Sequence, residues 1–269
     1  MNRGMADRLR SFFLKIGKRK RFALSCAILS AYLFVITYLP YHVALFHIIP
    51  LLLLTYAATY IGILEDIKGT EWVQLFILPL SLTVIALLFY YLLPVRLLTR
   101  VPFVFLYSVI LYAIFLSENI FNVGVEKTLA LYRAAYSVTN FVILLILLLM
   151  FTILFSFGFN YLLAAFIGML AAFPLFFHSL WIANPMSVLE ERIYKISGLL
   201  SVLLGFGIIF SSFLPLRTTV YAILNVAMAY FLIGVSQEII QDTVYANRIK
   251  EYVIVYSILI AFIVLSMQF

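Results

Sequence analysis

Long apolar runs, interrupted by short polar or proline-bearing segments, recur from one end of the chain to the other. A helix that crosses a bilayer needs about 20 mainly apolar residues. Nine runs approach that length, near 22–39, 43–64, 72–93, 101–121, 136–157, 159–183, 197–214, 217–238 and 251–268. Residues 136–183 are almost continuously apolar, but as one helix they would run far past a bilayer at about 1.5 Å per residue. A turn is therefore expected at Gly158 and Asn160. Pro40, Pro94, Pro185 and Pro215 fall at run ends, where a missing backbone donor does least harm. Trp72, Trp181, Tyr38, Tyr41, Tyr90, Tyr91 and Tyr221 fall at the expected interfaces, as amphipathic rings favour.

Composition turns this pattern into a class. Apolar residues make up 66% of the 269 residues and charged ones 11%. A soluble domain carries roughly 45–50% apolar and 25% charged residues. The excess excludes a soluble enzyme as well as disordered and collagen-like chains. The single cysteine, Cys26, excludes an internal disulfide framework. The expected fold is all-α, a polytopic integral membrane helix bundle of about nine transmembrane helices.

Charge sets the direction. The arm before the first run holds Arg3, Arg8, Arg10, Lys15, Lys18, Arg19, Lys20 and Arg21. With that arm inside, Lys68, Lys127, Arg133, Arg192, Lys195, Arg248 and Lys250 are inside too. Only Arg96, Arg100 and Arg217 of the 18 lysines and arginines then lie outside, a positive-inside distribution. All 11 acidic residues fall in the arm, in inside loops or at inside helix ends. The expected setting is an inner cell membrane, multi-pass, with a cytoplasmic N-terminus and an outside C-terminus. Polar chemistry is expected on the cytoplasmic side.

Residues 1–21 form a basic arm and 22–269 one transmembrane domain in this reading. Met5, Leu9, Phe12, Phe13 and Ile16 share one helical face. Arg8, Arg10, Lys15, Lys18, Arg19, Lys20 and Arg21 could hold anionic headgroups. The alternative is a plain topology signal, and the two are compatible.

Catalytic signatures are missing. There is no Gly-x-Ser-x-Gly elbow, no phosphate-cradling glycine loop and no cysteine cluster. Glu190-Glu191-x-x-x-Lys195 lacks the later histidines of intramembrane CAAX-type proteases. His42 and His47 are poorly spaced for one metal and read as interface residues. The expectation is no enzyme, no cofactor, no metal site and no nucleic acid. No charged residue falls at an expected midplane, which disfavours an ion-coupled pump. Asn225 reads as an interhelical hydrogen-bonding amide. Ala164, Gly168 and Ala172 read as a small-residue packing face.

The most polar stretch inside the runs is Leu116-Ser117-Glu118-Asn119-Ile120-Phe121-Asn122. Glu118 lies about one turn inside the inner end of the fourth run, where an ionised carboxylate is costly unless paired or wetted. Asn119, Asn122 and Arg133 could serve it, making a polar cleft open to the cytoplasm. The simpler reading, a snorkelling helix end, is preferred. Residues 123–135 are expected to form a short interfacial helix. Leu93-Pro94-Val95-Arg96 recurs as Leu214-Pro215-Leu216-Arg217, and Ser117-Glu118 as Ser236-Gln237-Glu238. A parallel repeat would relate 43–157 to 159–268; coincidence among proline-arginine helix ends explains it equally well. In the repeat, Glu238, Gln241 and Arg248 would join the cleft.

Ser117-Glu118-Asn119-Ile120-Phe121-Asn122-Val123, with Arg133-Ala134-Ala135 and Arg248-Ile249-Lys250-Glu251-Tyr252, resembles uncharacterised multi-spanning proteins of small-genome, candidate-phylum (Patescibacteria-like) bacteria. Leu131-Tyr132 departs from their Leu-Leu. The resemblance implies a bacterial membrane protein and no particular activity.

Three functions remain. The leading one is a non-enzymatic inner-membrane protein working from the cytoplasmic side with membrane lipids, another membrane protein or its own copies. The alternative is a transporter or channel for a small or lipid-like substrate, with Glu118 and Glu238 in a cytoplasm-facing vestibule. The third is an enzyme on a lipid-linked substrate, with Glu65, Asp66 and Glu71 holding a divalent cation.

Overall fold

A computed structural model describes residues 17–63, 71–94, 96–123, 130–185, 191–241 and 246–266. Every regular element among them is helical. The helices are α1 (Lys18–Ile36), α2 (Tyr41–Phe46), α3 (Ile48–Gly62), α4 (Glu71–Tyr90) and α5 (Leu97–Val123). They continue as α6 (Ala130–Ser156), α7 (Tyr161–Ala183), α8 (Glu191–Ser212), α9 (Thr218–Ile240) and α10 (Ala246–Ser266).

Among the described residues, six helices, α4 to α9, are long and apolar enough to cross a membrane. α3 is apolar but shorter, at 15 residues. α1 opens on Lys18-Arg19-Lys20-Arg21, and α10 carries Arg248, Lys250 and Glu251, so each spends part of its length on charge.

Local chemistry explains the breaks. Gly158 takes a φ of 63°, the left-handed conformation that glycine adopts without strain. Asn160 then caps α7, its side chain accepting from the Leu162 amide at 3.0 Å. The second apolar run is split at His47. Pro50 has no amide hydrogen and its ring excludes the carbonyl four residues back, at Phe46, so the helix restarts at Ile48. The short interfacial helix expected over 123–135 is corrected over its described part. Residues 130–135 are the first turns of α6, because Ala130-Leu131-Tyr132-Arg133-Ala134-Ala135 contains strong helix formers and no breaker.

The chain divides into two compact units, Met1–Thr139 and Asn140–Phe269. In the first, α1 packs on α3 and α5, and α4 packs on α3 and α5. α1 and α5 run antiparallel: Phe22 meets Phe115 at one end, with ring centroids 5.8 Å apart, and Tyr38 meets Arg100 at the other. The C-terminal end of α1 leaves carbonyls without their α-helical partners, and tyrosines bond several of them. Tyr91 donates to the carbonyls of Ile36 and Leu39, both at 3.1 Å. Tyr90 donates to Thr37 O at 3.4 Å, and Arg100 Nε donates to the Tyr90 oxygen at 2.9 Å. Arg100 also sits 4.0 Å from the Tyr38 ring centroid, a cation–π contact.

In the second unit, α8 packs on α7, and α9 packs on α7, α8 and α10. Small residues bring α7 and α8 together. A Cβ on Gly168 would strike Ile208 Cδ1, and one on Gly205 would lie 2.5 Å from Met169. Ala164 and Ala172, on the face of Gly168, are buried.

Candidate functional site

Three polar side chains of the first unit share one face of α5. Arg100, Tyr107 and Glu118 are spaced by seven and eleven residues. At about 100° per residue these steps bring all three within roughly 20° of one direction. Arg100 marks the N-terminal end of α5 and Tyr107 the middle, with Glu118 toward the C-terminal end.

The middle level is a hydroxyl triad from three helices. Thr83 Oγ1 of α4 lies 2.9 Å from the Tyr107 hydroxyl and 3.4 Å from Thr55 Oγ1 of α3. All three are buried. Thr83 donates to the Pro79 carbonyl at 2.7 Å, and Thr55 to the Leu51 carbonyl at 2.8 Å. Pro79, inside the continuous helix α4, has no amide hydrogen to offer the Leu75 carbonyl.

Glu118 is 0% exposed. A snorkelling end would leave its carboxylate at the surface, so that preferred reading is corrected: protein encloses Glu118. Its helix face points inward like that of Tyr107. Asn119 and Asn122 are half-buried beside it in sequence, and Arg133 is on the exposed side of α6. Between Glu118 and the triad, Leu111, Ile114 and Phe115 are buried on α5, with Phe22 against Phe115. Gly62 makes room for that ring, since a Cβ there would lie 3.2 Å from it.

Of the basic arm, Arg8, Arg10 and Lys15 lie outside the described residues. Lys18, Arg19 and Lys20 form the first turn of α1 and are half-buried or exposed. Arg21 is 2% exposed, and its Nη1 donates to the Ile61 carbonyl at 3.1 Å. It therefore serves the C-terminal end of α3.

The second unit holds a polar cluster of its own. Gln237 Nε2 of α9 donates to Asn140 Oδ1 of α6 at 3.0 Å and to Ser179 Oγ of α7 at 2.9 Å. It also lies 2.9 Å from the Ser179 carbonyl. Glu238 and His178 are buried next to these residues in sequence, and Gln241 caps α9 half-buried. The side chain of Arg248 lies outside the described residues. Arg192 reaches the last carbonyls of α9, with Nη2 donating to Ile239 O at 3.1 Å. Toward the other end, Asn225 donates to Ser211 Oγ of α8 at 3.1 Å and to Tyr221 O at 2.9 Å. An open apolar cleft of about 310 Å³ lies among α6, α9 and α10, lined by Leu144, Leu148, Ile223, Tyr230, Val255 and Leu259.

The structure thus places Glu118, Asn119, Asn122 and Arg133 in one unit and Glu238 and Gln241 in the other. Glu65 and Asp66, and the side chain of Glu71, lie outside the described residues. Thr55, Thr83, Tyr107, Asn140, Ser179 and Gln237 were not singled out from sequence. Threonine, serine and tyrosine are common in apolar helices, and only three-dimensional proximity marks these. Comparison with protein-family models, with curated proteins and with solved structures finds no match for this chain.

Proposed function

We propose that this chain is a nine-span carrier or channel of an inner cell membrane. Its N-terminus is cytoplasmic, and it moves a small solute by way of polar groups near the inner helix ends. The observation that carries this reading is the complete burial of Glu118 on the inward face of α5. An acidic side chain inside a membrane helix is expensive, and such groups usually mark a substrate or ion path.

The nine crossings add α1, α3 and α10 to the six longer apolar helices. The orientation follows the lysines and arginines, and the bacterial setting follows the sequence resemblance. A parallel repeat fits as well. Arg96 accepts at its carbonyl from the amides of Thr99 and Arg100, each at 3.0 Å. Arg217 accepts in the same pattern from Val220 and Tyr221, at 2.9 and 3.0 Å. Glu118 and Glu238, both buried, would be counterparts in this repeat.

The test is solute flux into liposomes containing the purified chain, over a panel of small cations, amino acids, sugars and short amphiphiles. Movement of at least one class above that in empty liposomes is expected. No movement across the panel overturns the carrier reading.

A non-enzymatic role with a lipid is the second reading, favoured by the open, carbon-lined cleft of the second unit. Native mass spectrometry from mild detergent is then expected to show retained lipid. Complete delipidation with no change in melting temperature would count against it.

A further inference from the structure

We draw no further inference here: the strongest candidate, the open apolar cleft of about 310 Å³ among α6, α9 and α10, is an unpartnered carbon-lined face, and nothing in the structure shows what covers it.

Discussion

The Tyr107 hydroxyl lies 2.9 Å from Thr83 Oγ1, joining α5 to α4 inside the first unit. Both side chains are buried, and between Tyr107 and Glu118 the inward face of α5 carries Leu111, Ile114 and Phe115. With Thr55 the contact joins three helices through hydroxyls inside that unit.

The polar centre of the second unit is expected to act as a unit in stability. Gln237→Leu removes the donor shared by Asn140 and Ser179 and leaves buried acceptors behind, at a cost of about 1–3 kcal/mol. Adding Asn140→Leu is expected to cost less than the sum of the two single changes, with a coupling of about 0.6–1.7 kcal/mol. Thermal unfolding of the four proteins in one detergent checks this. Strict additivity would show that the amides do not interact.

Helix contact across α7 and α8 is expected to be sensitive to volume. Gly168→Leu drives a side chain into Ile208 and is expected to destabilise by about 1–3 kcal/mol. Gly168→Ala is expected to be milder, because the obstacle is the far end of a flexible side chain. The melting temperatures should fall in that order, and an unchanged value for the leucine variant would refute the packing.

At the C-terminal end of α1, Tyr91→Phe withdraws the hydroxyl from the Ile36 and Leu39 carbonyls. The expected loss is about 1 kcal/mol, or roughly 2–4 °C in melting temperature for a chain of this size. Arg100→Met is expected to act at the same corner, through Tyr90 and Tyr38. Two variants without effect would mean that the end of α1 is satisfied otherwise.

Orientation has its own test. A reporter active only outside the cytoplasm, fused after Phe269, is expected to be active, and a fluorescent protein that needs the cytoplasm is expected to be dark. The reverse pattern would mean an even number of crossings.

Much of the architecture was legible because hydrophobic runs and breakers are local signals. Gly158 and Asn160 marked their turn without any knowledge of neighbours, and the ends of most runs fell near helix ends. The split at His47 was missed because Pro50 acts four residues back, inside what reads as one apolar run. The status of Glu118 was misread for a different reason. Its position in sequence is near a helix end, and only packing decides whether such a side chain reaches the surface. The two polar centres were illegible because Thr83 with Tyr107, and Asn140 with Ser179 and Gln237, are far apart in sequence and ordinary in type.

The central claim is that Glu118 is buried for function, and flux through Glu118→Gln tests it most directly. The substitution keeps the size and replaces the carboxyl with an amide. The account predicts that the melting temperature holds or rises while flux of the transported solute falls at least tenfold. A melting temperature lowered by several degrees with flux unchanged would contradict it, and would make Glu118 a structural residue of the first unit.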